Sequence, residues 1–197
     1  MKLKFLSFAL LAAGGLSTTG AAFAAMPDAG TMLANTCLGC HGPGGSSVGP
    51  ATPTIAAMQP ESFLEAMKGY KEGTRPATVM DRIVKGYTED EIKAMSGYFA
   101  KQAFVRYPQK VDDKKVAEGK KLHKDHCEKC HVDEGMKDED GSSVLAGQWL
   151  PYLQYQMEDF VGGTREMPKK MKSQVEKVKE KGPDAIDSLL HFYASKK

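Results

Sequence analysis

Apolar residues recur at helical spacing in several segments of this chain. One helix is predicted over 60–70, and another begins near Thr88, because Thr88 and Glu91 can form a capping box ahead of an apolar stripe. The second half of the chain has similar helices at 150–160 and after Gly182. No segment alternates apolar and polar residues convincingly, so the pattern predicts an all-α fold. The stripes comprise Phe63, Leu64, Met67 and Tyr70, then Ile92, Met95 and Phe99, and in the last helix Ile186, Leu189, Leu190 and Tyr193.

The N-terminal residues follow a different pattern. Lys2 and Lys4 precede an apolar run, and residues 22–24 read Ala-Phe-Ala, which is typical of a signal-peptidase site. We therefore predict a cleaved signal peptide over 1–24 and an exported, periplasmic protein. The apolar run is short for a membrane span, and no other stretch approaches that length. An uncleaved N-terminal anchor is the alternative.

Removal of the signal peptide changes the charge balance. The chain has 27 basic and 25 acidic residues, and Lys2 and Lys4 are lost with the signal peptide. The mature chain is then formally neutral, which argues against a nucleic-acid-binding protein because such proteins need a basic surface.

Matching residues return with a constant offset of 90 in the two halves of the mature chain. Residues 73–75 and 163–165 both read Gly-Thr-Arg, and the apolar segments 97–100 and 191–194 match with an offset of 94. A register kept over this length indicates a duplicated module. The most distinctive match is between Cys37, Cys40 and His41 and their counterparts Cys127, Cys130 and His131.

The duplication divides the mature chain into two small domains. We predict a first domain over 25–104, a linker over 105–115 that contains Pro108 and a charged run, and a second domain over 116–197. Each domain is small for an independent core, and a large covalently held cofactor would supply the missing apolar volume.

Each domain contains the C-x-x-C-H signature of c-type haem attachment. On one helical turn, residues i and i+3 project to the same side, so Cys37 and Cys40 can form thioethers with one porphyrin while His41 binds its iron. The second motif offers the same chemistry through Cys127, Cys130 and His131. We therefore predict two haem c groups. The alternatives are a redox dithiol in each half, or one zinc ion held by all four thiolates.

The second axial ligand determines what the iron can do. Methionine raises the potential and fills the coordination sphere, which suits electron transfer. Met80 follows Arg75 by five residues, and in the second half Met171 follows Arg165 by six and Met167 by two. The register of the repeat therefore favours Met80 and Met171 as iron ligands, with Met167 as the alternate in the second half. The alternative for each methionine is that it only fills the core, which is the ordinary role of this residue.

Histidine is the competing second ligand. The second half contains His123, His126 and His191, so bis-histidine ligation is an alternative there, whereas the first half has no histidine besides His41.

Three further residues are candidates for contacts with haem propionates. Arg75 and Arg165 can act as charge-assisted donors, and Trp149 carries an indole N–H. The alternative is that the arginines are solvated surface residues and that the tryptophan simply packs.

Beyond these motifs, the chain resembles the dihaem cytochrome subunits of flavocytochrome c sulfide dehydrogenases. The segments that carry the resemblance are 35–42, 47–50, 82–87, 127–132, 145–149 (Leu-Ala-Gly-Gln-Trp), 151–155, 169–171 and 192–195. The match is looser to free-standing periplasmic dihaem cytochromes. The loop 137–141 departs from the pattern, which puts contacts made by that loop in doubt.

The resemblance implies two tandem class I cytochrome c-like domains with histidine and methionine on each iron. It also implies a heterodimer with a flavoprotein subunit that carries FAD and oxidises sulfide. Electrons would pass from flavin through the two haems to an acceptor such as a small periplasmic cytochrome c. This chain would then be the electron-transfer subunit and would not itself bind sulfide.

Two other functions compete with this expectation. One is a free-standing dihaem carrier that delivers electrons to a terminal oxidase. The other is a dihaem peroxidase, which needs an open iron coordination site and is disfavoured by the predicted methionine ligands.

Overall fold

The computed structural model describes residues 27–138 and 141–197. Its helices are α1 (Ala29–Ala34), α2 (Leu38–His41), α3 (Pro60–Glu72), α4 (Met80–Ile83), α5 (Glu89–Phe99), α6 (Asp113–His126), α7 (Val132–Gly135, one turn with left-handed residues), α8 (Leu150–Gly162), α9 (Lys169–Lys179) and α10 (Ala185–Ala194). Short 3-10 turns lie at Asn35–Cys37, Pro43–Gly45 and Val84–Gly86. No strand occurs in this part of the chain, which confirms the all-α prediction.

Side-chain caps set the starts of three helices. Asp28 accepts from the Thr31 backbone N–H at 3.0 Å and begins α1. Thr88 and Glu91 form the predicted reciprocal capping box at the start of α5. Asp112 accepts from two backbone N–H groups and begins α6. Each cap satisfies donors that the first helical turn leaves unpaired.

Two helices demonstrate the repeat directly. Both α3 and α8 have 13 residues, and their bounds differ by the predicted offset of 90. Each ends at a left-handed glycine, Gly73 with φ 74° or Gly163 with φ 77°. Glycine adopts this conformation at little cost, so the shared Gly-Thr-Arg sequence ends both helices in the same way.

Backbone hydrogen bonds in the loops follow the same register. The Gly45 carbonyl accepts from residues 55 and 56, and the Gly135 carbonyl accepts from residues 145 and 146. Further on, Ala57 N–H donates to the Phe99 carbonyl and Gly147 N–H to the Tyr193 carbonyl, both at 2.9 Å. The last pair reproduces the 94-residue offset read from the sequence.

Each half packs around its own hydrophobic cluster. The first cluster runs from Ala34 to Phe99 and the second from Leu122 to Ala194. In both halves a helix that leads into a cysteine motif crosses the last helix of that half, α1 on α5 and α6 on α10. The crossings are close, because a Cβ added at Gly30 would lie 2.6 Å from the Ala94 carbonyl oxygen, and one at Gly119 would lie 2.0 Å from that of Ser188.

The segment between the halves has no helix from residue 103 to Val111. Asp112 then caps α6, and residues 113–115 form its first turn, so this helix begins inside the linker predicted over 105–115. The charged run read as linker is therefore a helix start. The exact domain boundaries remain a prediction.

Polar contacts join the two halves. Thr54 and Gln148 exchange two hydrogen bonds, from Thr54 N–H to Oε1 at 3.0 Å and from Nε2 to the Thr54 carbonyl at 2.7 Å. The buried carboxylate of Asp138 accepts from the Gln59 backbone N–H and from the Ser62 hydroxyl at 2.9 Å. Asp138 thus caps α3, which has no cap of its own, from the loop whose contacts the sequence left in doubt.

The predicted signal peptide lies outside the described residues. Within residues 27–138 and 141–197, no helix is both long and apolar enough to cross a membrane.

Candidate haem-attachment sites

The first cysteine motif forms a compact helical turn. Cys37 ends the 3-10 turn Asn35–Cys37, and Cys40 and His41 follow in α2. His41 is only 8% exposed, and its Nδ1–H donates to the Pro53 carbonyl oxygen at 2.8 Å. Because a carbonyl oxygen only accepts, Nδ1 must carry the proton and Nε2 keeps its lone pair. Burial also lowers the pKa of His41, which favours the neutral imidazole that a metal requires.

Met80 is the first residue of α4 and packs against the first hydrophobic cluster. Val84, one turn further on, is fully buried. Two apolar side chains beside Met80 are open to solvent, Val79 at 44% and Ile83 at 39% exposure. Exposed apolar side chains therefore lie at positions next to Met80 in the chain, which fits contact with a large apolar group.

The second motif also forms a compact turn, at the end of α6. The backbone N–H groups of Cys130 and His131 both donate to the Cys127 carbonyl, at 3.1 and 2.9 Å, so the motif forms one helical turn. Burial, with a smaller contribution from nearby His123, lowers the pKa of His131 to about 4. This imidazole is thus neutral at physiological pH and is a competent metal ligand.

The thiols do not resemble a redox pair. All four cysteines are free, and burial raises the pKa of Cys37 and raises that of Cys127 to about 11. Reactive dithiols need the opposite shift. The described residues also contain no group of three or more His, Cys, Asp or Glu side chains suited to a metal ion, so the four thiols do not form one zinc site there.

The two candidate methionines of the second half differ in position. Met171 lies within α9, and Val175 and Val178, at i+4 and i+7 from it, are the buried residues of that helix. Met167 precedes the helix, which begins at Lys169. Met171 is therefore followed four residues later by a buried valine, Val175, just as Met80 is followed by buried Val84.

Two of the competing histidines have other partners. His123 is buried in the second half, and its Nδ1 bonds the Tyr193 hydroxyl at 2.9 Å. His191 accepts from the Asp112 backbone N–H through Nδ1, and its Nε2 lies 3.4 Å from an Asp187 oxygen. Both ring nitrogens of His191 are thus engaged.

Arg75 and Arg165 come together, although they belong to different halves. Arg75 Nη2 donates to Gln156 Oε1 at 3.0 Å, and Arg165 Nη1 donates to the same oxygen at 2.8 Å. Arg75 also donates to the Tyr152 hydroxyl. Gln156 and Tyr152 were missed by the sequence analysis, because a neutral residue on a helix carries no motif that marks it.

Trp149 uses its indole N–H across the same boundary. Nε1 donates to the Ser47 carbonyl at 3.1 Å, and the ring packs so closely on Gly49 that a Cβ there would lie 2.7 Å from it. The predicted propionate contact of Trp149 would have to compete with this bond, and it stays a prediction.

Taken together, each half presents two cysteines on one turn, a histidine whose pKa is lowered by burial, and a candidate methionine ligand. The arginines can supply positive charge for haem carboxylates. These residues fit one covalently attached haem in each half, which defines the chain as a protein of the dihaem c-type class.

Comparison with known proteins identifies the family. No protein-family model matches the chain. It is 42% identical over 96 residues to the cytochrome subunit of sulfide dehydrogenase from Chlorobaculum tepidum, which covers 46% of this chain and 86% of the relative. It is 30% identical over 188 residues to cytochrome c4 from Pseudomonas aeruginosa, covering 89% of this chain and 92% of the relative. The chain therefore belongs to the family of c-type cytochromes that includes cytochrome c4.

A solved structure supports the same fold. The reduced cytochrome c4 of Pseudomonas stutzeri matches with a TM-score of 0.73 at 22% identity, covering 87% of this chain and 100% of that one. The predicted tandem class I cytochrome architecture is thereby confirmed. Family membership implies covalent haem c, with two haems in the cytochrome c4-like proteins.

Proposed function

We propose that this chain is a dihaem electron carrier in which His41 and Met80 bind the first iron and His131 and Met171 the second. Cys37 and Cys40 attach the first haem, and Cys127 and Cys130 attach the second. The observation that carries the proposal is the His41 geometry, in which the Pro53 carbonyl holds the Nδ1 proton at 2.8 Å. A hydrogen bond from Nδ1–H to a carbonyl oxygen orients an imidazole and leaves Nε2 for the metal.

The helix positions favour Met171 over Met167. Met171 shares a helix face with buried Val175 and Val178, and the Met80–Val84 pair has the same spacing in the first half. If histidine and methionine both hold each iron, its coordination sphere would be filled. The bound haems then supply reversible one-electron redox chemistry, and this chain holds and orients them and excludes water.

The partner we propose is an FAD-containing flavoprotein that oxidises sulfide. Support comes from the 42% identity to a sulfide dehydrogenase cytochrome subunit and from the resembling segments in both halves. Electrons would enter this chain from the flavin and leave for a small cytochrome c. Both partners require export, in agreement with the predicted signal peptide and a periplasmic location.

A free-standing dihaem carrier is the second candidate. Cytochrome c4 is a relative that spans both halves of this chain, whereas the sulfide dehydrogenase relative covers 46% of it. In this case electrons would pass to a terminal oxidase without a stable flavoprotein complex. A peroxidase is less well supported, since it needs an open iron site.

Affinity purification of the tagged full-length protein from its native host separates the candidates. Co-purification of a flavoprotein with bound FAD at equal stoichiometry supports the sulfide dehydrogenase subunit, and a flavin-free monomer supports the free-standing carrier. Rapid carbon monoxide binding by the reduced protein at either haem would contradict methionine ligation and would support a peroxidase function instead.

A further inference from the structure

Two arginines from different halves share one acceptor at the boundary between the halves. Arg75 Nη2 and Arg165 Nη1 lie 3.0 and 2.8 Å from Gln156 Oε1. Each guanidinium also stacks on an aromatic ring of its own half, Arg75 on Tyr70 at 4.9 Å and Arg165 on Phe160 at 4.2 Å. The side chain of Gln156 is thus a physical bridge between equivalent positions of the repeat.

The bridge itself is not repeated. Arg75 and Arg165 are related by the 90-residue offset, as are Tyr70 and Phe160, but Gln156 corresponds to alanine at position 66. One amide oxygen from α8 therefore serves both halves. Both guanidinium groups therefore depend on the position of this one oxygen.

The amide of Gln156 is neutral and does not compensate the positive charge of Arg75 and Arg165. Burial and the proximity of Arg75 lower the pKa of Arg165 to about 10, so the Arg165 guanidinium stays cationic at physiological pH. Neither arginine forms an ion pair with a carboxylate among the described residues, and Arg75 Nε is buried without a hydrogen-bond partner. Two cations and a buried unused donor form a receptive site for carboxylates, and haem propionates have that chemistry.

We propose that Gln156 is a positioning residue that couples the two haems, by tying the arginine of each half to that of the other. A change at Arg75 would then alter the field at both haems through Gln156. This inference rests on the proposed two-haem function. It extends that function, because Gln156 would then determine how strongly the redox potential of one haem depends on changes at the other.

A double-mutant cycle tests the coupling. Arg75→Lys keeps the charge and removes the guanidinium fork. The variant is made in the native background and in Gln156→Ala, and haem methyl resonances followed by NMR through a redox titration report each haem separately. We expect Arg75→Lys to shift both midpoint potentials in the native background, and only that of the first haem in Gln156→Ala.

The matched control is Gln154→Ala, which removes the same kind of side chain from the same helix. The native Gln154 amide donates to Asp187 at 3.0 Å and does not contact the arginines. In this background both potentials should still shift. Confinement of the shift to the first haem in all backgrounds would overturn the proposal, as would loss of the second shift in Gln154→Ala.

A readout without redox chemistry completes the test. The side-chain Nε–H resonance of Arg165 in isotope-labelled protein should move on Arg75→Lys substitution in the native background and stay fixed in Gln156→Ala. An unmoved resonance in both would also reject the bridge. The visible spectrum of each variant shows whether both haems are attached and six-coordinate, so failure of the coupling is distinct from failure of the proposed function.

Discussion

Substitution of Gly119 by alanine should destabilise the second half, although it introduces a better helix former. Gly119 lies inside α6 and is buried against α10. An added Cβ would lie 2.0 Å from the Ser188 carbonyl oxygen and 2.7 Å from Phe192 Cβ. The first obstacle is backbone, so the methyl group can be accommodated only if the two helices move apart.

The expected magnitude is set by two opposing terms. Glycine to alanine in a helix interior gains up to about 1 kcal/mol of helix propensity. Overpacking typically costs about 1–3 kcal/mol, and more where backbone must shift. Because separation of α6 from α10 would disturb the contact that runs along both helices, we expect a net loss of about 2 kcal/mol or more.

Guanidinium denaturation of the mature haem-loaded protein measures this effect. Trp149 is the only tryptophan of the chain and contacts Ser47 and Gly49 across the boundary between the halves. Its fluorescence therefore reports unfolding of the second half or its separation from the first, while far-UV circular dichroism reports the whole. We expect the tryptophan transition of Gly119→Ala to move to lower denaturant concentration.

Gly97→Ala is the matched control. Gly97 lies inside α5, and nothing stands within 4 Å of an added Cβ. The same chemical change should therefore stabilise the protein by about 0.5–1 kcal/mol. A Gly119→Ala protein as stable as the native protein, or more stable, would refute the close helix crossing.

Three further predictions concern the sites and the boundary between the halves. Met171→Ala should lower the potential of the second haem and admit carbon monoxide to its iron, whereas Met167→Ala should change neither; the reverse result would reassign the ligand. Asp138→Ala should cost about 1 kcal/mol or more, since it removes a buried cap from α3, and amide hydrogen exchange should accelerate in the first turn of that helix; unchanged exchange would contradict the cap. The hydrogen bond from Lys196 is the main cause that lowers the pKa of Glu134. The stabilisation by this bond is therefore present above the ordinary glutamate pKa and is lost as the pH falls through the lowered value. Glu134→Gln should flatten this acid dependence in thermal melts, and an unaltered profile would exclude the pair.

Periodic and duplicated features of the sequence were enough to predict much of the fold. The starts of α3 and α8 and the offset of 94 near Tyr193 follow from local patterns that occur twice, although both helices end two residues later than predicted. The helix starts at Asp28 and Thr88 were also predictable, because a cap is encoded within four residues.

The contacts between the halves could not be predicted in this way. Gln156, Asp138 and Gln148 are polar residues without a periodic signal, and their partners lie in the other half of the sequence. The start of α6 inside the predicted linker could not be predicted either, because the acidic and basic residues after Asp112 are equally compatible with a solvated loop and with a capped first turn. Only the fold brings the two arginines of the repeat to one oxygen.

Covalent attachment of one haem to each half is the central claim. Intact-mass spectrometry of the mature protein, produced by a host with a cytochrome c maturation system, tests it most directly when paired with the Cys127→Ala/Cys130→Ala variant. We predict the added mass of two haems on the native chain and of one on the variant. A native chain of bare polypeptide mass, or a variant that still carries two haems, would contradict the account.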